Sequence, residues 1–89
     1  MSRMVKVELF CSPVCPNCPA ARKLFNEVAG KHPDDDFVEI NTYTEAGIER
    51  GMRLKVMAVP TLAVDGELKL VGWPFEEKDL EEAIAEAKA

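Results

Sequence analysis

The segment from residue 4 to residue 29 changes period in its middle, and the seam holds all three cysteines of the chain. In MVKVELF, residues 4–10, Val5, Val7 and Leu9 alternate with Lys6 and Glu8, the pattern of a strand with one face buried. From residue 16 to residue 29, Ala20, Ala21, Leu24, Phe25 and Val28 recur at helical spacing, and Gly30 stands where that helix is expected to end. The seam reads CSPVCPNC and places Cys11, Cys15 and Cys18 within eight positions. A chain that passes this abruptly from strand to helix is committed to layering a helix on a sheet.

The remaining segments extend that plan. KHPDDD reads as a turn, with Pro33 and the acidic run stopping any helix, and FVEINT (37–42) reads as a second strand. TEAGIERGMRL (44–54) reads as a weaker helix, because Gly47 and Gly51 each cost about 1 kcal/mol relative to alanine. PTLAVDGELKLVG (60–72) reads as a hairpin around Asp65-Gly66, a dipeptide that accepts the positive φ angles of a type I′ turn. Residues 75–88 form a last predicted helix with Leu80, Ala83, Ile84 and Ala87 on one face.

The order βαβαββα predicts an α/β fold. Its first two strands and crossover helix form a parallel, right-handed unit. The hairpin adds an antiparallel pair, which makes a mixed four-stranded sheet with helices on both faces. No internal repeat or linker divides the chain, so residues 1–89 are expected to be a single domain.

Composition narrows the function classes. At 89 residues, with 47% hydrophobic and 30% charged side chains, the chain has the make-up of an ordinary globular protein. Such a domain buries roughly 60–65% of its unfolded surface. The net charge is −5, and much of the acid lies in EEKDLEEAIAEAKA, read as a solvated helix face. No basic stripe is available to track phosphates, so no nucleic-acid partner is expected. The opening MSRMVKVELF lacks the h-region and cleavage site of a signal peptide, and no run approaches the roughly 18 apolar residues of a membrane span. A cytoplasmic, monomeric protein is expected. In that compartment structural disulfides are rare, and paired cysteines are catalytic or metal-binding.

Cys15 and Cys18, three apart at a predicted helix start, lie on one face with β-carbons about 5–6 Å apart. A disulfide asks for about 3.5–4.5 Å, which a modest adjustment of the first turn supplies. Pro16 fits the first helical position, so Cys15 is placed at the positive end of the helix dipole beside unpaired N–H groups. That setting lowers the Cys15 pKa below the free value of about 8.5 and marks it as the attacking thiolate. Cys18, deeper in the turn, is assigned as the resolving thiol. Pro19 removes the N–H that would bond the Cys15 carbonyl, which predicts an irregular first turn.

Rival uses of the sulfurs remain in view. Cys11, Cys15 and Cys18 spell C-x3-C-x2-C, a spacing used for iron–sulfur clusters in radical enzymes whose large barrels 89 residues cannot build. A zinc ion or cluster with His32 as a fourth ligand is a further alternative. Cys11 by itself reads as a small buried residue or as a regulatory partner of Cys15.

CPNC after an apolar strand, with AVPT about 40 residues later and a hairpin following, resembles the thioredoxin and glutaredoxin superfamily. Over about residues 4–88 the chain is most similar to the small, glutaredoxin-sized thioredoxins of archaeal type. The resemblance implies a thioredoxin fold and a protein-disulfide reductase that needs no bound cofactor. Its partners would be disulfide-containing protein substrates and a thioredoxin-reductase-type electron donor. It further implies that Pro60 is cis, faces the dithiol and keeps metal ions away, and that Val59 offers its backbone to an extended substrate. Pro16 and Asn17 would border that substrate from between the cysteines, with Gly72 and Trp73 as a third wall of the groove. Trp73 is open to two placements, as a flat platform in the groove or packed on the last helix.

The departures from the family pattern are also informative. Val14 replaces the tryptophan usual before the nucleophile, and Pro19 replaces the usual basic residue. Leu9 stands where thioredoxins carry a buried carboxylate that deprotonates the resolving cysteine; Glu8 is expected to point to the opposite face. Asn17 replaces the tyrosine common in glutaredoxins. Gly72-Trp73 replaces their double glycine, which favours protein disulfides over glutathione.

Overall fold

Why the two periods become strand and helix is visible in how the sheet assembles. The structure is a computed structural model that describes residues 4–88. The elements run β1 (Lys6–Cys11), α1 (Cys18–Ala29), β2 (Asp36–Asn41), α2 (Glu45–Leu54), β3 (Thr61–Val64), β4 (Glu67–Val71) and α3 (Glu77–Lys88). The sheet order is β2-β1-β3-β4. β1 pairs parallel with β2 and antiparallel with β3, and β3 pairs antiparallel with β4. This is the expected mixed four-stranded sheet.

Alternation along β1 sorts its side chains between two layers. Val5, Val7, Leu9 and Cys11 join Phe25 and Val28 of α1, Leu62 of β3 and Leu80 and Ile84 of α3 in one apolar cluster. On the opposite face, Glu8 is 1% exposed and receives two hydrogen bonds from Arg50 of α2, at 2.9 Å from Nε and 2.8 Å from Nη2. The planar guanidinium matches the carboxylate fork, so the buried charge is fully engaged. Helices thus cover both faces, α1 and α3 on one and α2 on the other. Among the described residues, no helix is long and apolar enough to cross a membrane.

Boundaries differ from expectation in physically legible ways. The helix expected from residue 16 begins at Cys18, with Asn17 as its cap. Pro19 has no N–H to donate to the Cys15 carbonyl, so that carbonyl takes the Cys18 N–H instead, at 3.3 Å, and residues 15–18 form a turn. The helical ladder opens only with Ala21 N–H to the Asn17 carbonyl, at 3.1 Å. Pro16 is therefore a turn residue rather than the first residue of the helix. Gly30 ends α1 with φ −63°, in the right-handed region, so its glycine freedom is not used. The last helix starts two residues later than expected, at Glu77.

The hairpin forms as read, with φ of 52° at Asp65 and 80° at Gly66. The Asp65 carboxylate also accepts from the Lys6 N–H at 2.9 Å, tying the turn to the start of β1. Gly47 explains its own presence in α2. A β-carbon there would lie 1.8 Å from the Asn41 carbonyl oxygen, so the helix can lie against the end of β2 only with glycine at this point.

Candidate active site

The seam after β1 is organised by Ser12, a residue without special weight in the sequence. Its side-chain oxygen accepts from the Val14 N–H at 3.2 Å, and its carbonyl accepts from the Cys15 N–H at 3.1 Å. A Ser-Pro pair directly after a strand is the signal that was available for such a turn. These bonds lift Pro13 and Val14 into solvent and return Cys15 to the edge of the core. Cys15 is half-buried, whereas Cys18 and Cys11 are buried, and all three carry free thiols.

Opposite Cys15 stands the loop between α2 and β3. The Cys15 thiol donates to the Val59 carbonyl at 3.6 Å, and the Val59–Pro60 peptide is cis. Thr61 Oγ1 holds this loop by donating to the Ala58 carbonyl at 2.6 Å. Gly72, with φ of 80°, donates its N–H to the Pro60 carbonyl at 2.9 Å, so the chain leaving β4 closes on the other side of the proline. Trp73 then packs edge-on to Phe75, with ring centroids 5.1 Å apart, and remains half-buried against the core cluster. Cys15, Val59, Pro60 and Gly72 are therefore brought together, while Pro16 and Asn17 stand exposed in the turn between the cysteines. A groove of about 300 Å³, lined by Ile48, Met52, Met57, Ala58 and Val59 among others, runs along the α2 side of this loop.

The three sulfurs differ in electrostatics. Burial acts to raise the Cys15 pKa, but hydrogen bonds from the Cys18 thiol and from the Asn17 and Cys18 backbone N–H groups outweigh it and bring the thiol below its ordinary value. Cys18 is pushed up by burial and by giving its hydrogen to Cys15, despite opposing bonds from the Ser12 backbone and the Cys11 thiol. Cys11 is pushed up by burial and by its bond to Cys18. Cys11 is buried in the same apolar cluster as Cys18, in line with its reading as a small buried residue. His32, weighed as a fourth metal ligand, instead bonds Glu81 at 2.6 Å and lies 3.4 Å from Asp35. Among the described residues, no three His, Cys, Asp or Glu side chains are grouped to hold a metal ion.

A depressed thiol at the surface backed by a raised, buried one is an arrangement for thiol–disulfide exchange, and the fold and site define a thiol–disulfide oxidoreductase. The comparisons narrow this further. Residues 4–85 match the thioredoxin domain family. The chain is 44% identical over 80 residues to the thioredoxin of Methanocaldococcus jannaschii, covering 90% of this chain and 92% of that one. Thioredoxin O2 of Arabidopsis thaliana, in its oxidised state, superposes with a TM-score of 0.74 at 20% identity, over 97% of this chain and 76% of that one. Thioredoxin f2, solved in complex with ferredoxin:thioredoxin reductase, gives 0.79 at 18% identity, over 99% and 81%. The chain belongs to the thioredoxin family.

Proposed function

We propose that the protein reduces protein disulfides through Cys15 and Cys18. Cys15, as thiolate, attacks one sulfur of a substrate disulfide; a mixed disulfide forms, and the other substrate sulfur leaves and takes up a proton. Cys18 then attacks Cys15 Sγ. The mixed disulfide breaks, the second substrate sulfur departs and is protonated, and the protein holds a Cys15–Cys18 disulfide. One substrate disulfide has become two thiols, and one protein dithiol has become a disulfide. No bound cofactor takes part.

The Val59 backbone, fixed beside Cys15 by Pro60 and the Thr61 bond, is the edge along which an extended substrate segment aligns. Gly72 and Trp73 form the opposite wall, and Pro16 and Asn17 the lip between the cysteines. The single observation that carries this reading is a half-buried Cys15 whose thiol faces the carbonyl of the cis Val59–Pro60 peptide, with the buried thiol of Cys18 three residues on.

Restoring the dithiol needs a reductase-type electron donor, and the structural likeness to a thioredoxin solved with its reductase supports that class of partner. The work belongs in the cytoplasm, where thiols are kept reduced, and is done by residues 1–89 as one monomeric domain. Insulin-disulfide reduction tests the proposal. Cys15→Ser should abolish turnover, and Cys18→Ser should accumulate a covalent complex with substrate that dithiothreitol releases. Turnover by Cys15→Ser at the native rate would overturn it.

A further inference from the structure

Of the large apolar side chains left exposed to solvent, three meet at one place. Ile48 and Met52, one turn apart on α2, and Met57 in the loop that follows form a wall of the groove beside the Val59–Pro60 peptide. Met52 is 74% exposed and Met57 91%, so both thioethers are open to dissolved oxidants.

The groove belongs to the dithiol by position. Val59 lines it, and the Val59 carbonyl accepts the hydrogen bond from the Cys15 thiol at 3.6 Å, so the groove is continuous with the reacting sulfur. Every described residue that lines it is uncharged, in a chain with 30% charged side chains. Methionine suits such a wall, because its unbranched thioether reshapes around different apolar partners. The same sulfur is also the place where the wall can be made polar by oxidation.

We infer that this groove seats the uncharged segment flanking a substrate disulfide, and that Met52 and Met57 are modification sites within it, where hydroperoxides turn thioether into sulfoxide and weaken that docking. In each event the O–O bond of the hydroperoxide breaks and one oxygen bonds to the methionine sulfur. The sulfur loses two electrons, and the hydroperoxide is reduced to an alcohol, or to water where it is hydrogen peroxide. The new sulfoxide oxygen is a strong acceptor that an apolar partner leaves unpaired. The dithiol meets the same oxidant by closing to its disulfide, with release of water and the alcohol, and an electron donor reopens it. The sulfoxides outlast that cycle. A methionine sulfoxide reductase reverses them, a dithiol giving two electrons and two protons while the oxygen leaves as water.

The inference rests on the reading of Cys15 and Cys18 as a protein-disulfide reductase, and its test separates the two. The Cys15–Cys18 disulfide form is treated with hydrogen peroxide and then reduced with dithiothreitol, which leaves sulfoxides in place. It is assayed on insulin and on dithiobis-nitrobenzoate, a disulfide too small to need the groove. Peptide mapping should place one oxygen on Met52 and one on Met57. The KM for insulin should rise about tenfold with kcat little changed, while the dithiobis-nitrobenzoate rate stays within about twofold. The double variant Met52→Leu, Met57→Leu, measured against itself before peroxide, should show no rise. Met4, 66% exposed and ahead of β1, still oxidises in that variant and serves as the internal control. Failure of peroxide to modify Met52 and Met57, an unchanged KM once they are modified, or an equal rise in the double variant would overturn the inference and leave the proposed function standing. An equal loss of rate on both disulfides would place the damage at the dithiol and overturn it as well. Absence of insulin reduction by the untreated protein would overturn both.

Discussion

Three chemically identical thiols within eight residues meet three different surroundings, and their reactivity should separate accordingly. Cys15 is lowered by donors aimed at it, and Cys11 and Cys18 are raised by burial. Iodoacetamide should therefore modify Cys15 first at neutral pH, with a rate profile whose midpoint lies below that of an ordinary thiol. Peptide mapping should find Cys11 unmodified until the protein is unfolded. Equal labelling of Cys11 and Cys15 in the native state would contradict the structure. The proximity of Cys15 and Cys18 was legible from spacing, because it depends only on a local turn. The neighbour of Cys11 was not. It depends on how α1 folds back over the end of β1, which brings Cys18 into the apolar cluster that Leu9 and Cys11 share.

At the scale of elements, the two glycines of α2 look alike in sequence and differ in structure. Each should cost about 1 kcal/mol in a helix, yet Gly47 abuts the Asn41 carbonyl, whereas a β-carbon at Gly51 would meet Val56 at an ordinary 3.8 Å. Gly47→Ala should therefore destabilise by at least about 2 kcal/mol, since a backbone must shift to admit it. Gly51→Ala should stabilise by about 0.5–1 kcal/mol through propensity. Urea midpoints decide between them, and a gain in stability from Gly47→Ala would show that α2 does not pack as described.

The same helix carries Arg50. Arg50→Ala leaves the Glu8 carboxylate buried and unpaired, and should cost about 2–4 kcal/mol, toward the lower side for a broken buried pair because Arg50 keeps partial access to water. Element types and order were legible because period and turn chemistry are local signals. The start of α1 and the Glu8–Arg50 pair were less so. The first hinges on which carbonyl loses its partner to Pro19, the second on two residues 42 apart in sequence.

For the whole molecule, one carboxylate ties together segments from both ends of the chain. Asp35, whose side chain is 2% exposed, accepts from the Val5 N–H at 3.1 Å and from Lys88 Nζ at 2.8 Å, and faces His32. It thus joins the entry to β1, the turn before β2 and the end of α3, while the next residue, Asp36, donates its N–H to the Val5 carbonyl at 2.9 Å. Burial acts to raise the Asp35 pKa, but the Lys88 ammonium, the Val5 N–H and the charge of His32 hold it below the ordinary carboxylate range. The unfolded chain therefore binds this proton more readily than the folded one. Stability rises with pH through the window between the two values. The contribution is complete above the unfolded value of about 3.9 and is lost as pH falls through the lower folded value. Asp35→Asn should accordingly cost about 1–3 kcal/mol at pH 7, the range for a charge-assisted hydrogen bond, and progressively less below pH 4. Urea denaturation of both proteins from pH 7 down to pH 2 reads this difference directly. Parallel stability curves across that range would mean that Asp35 titrates as a solvated carboxylate and does not join the two ends of the chain.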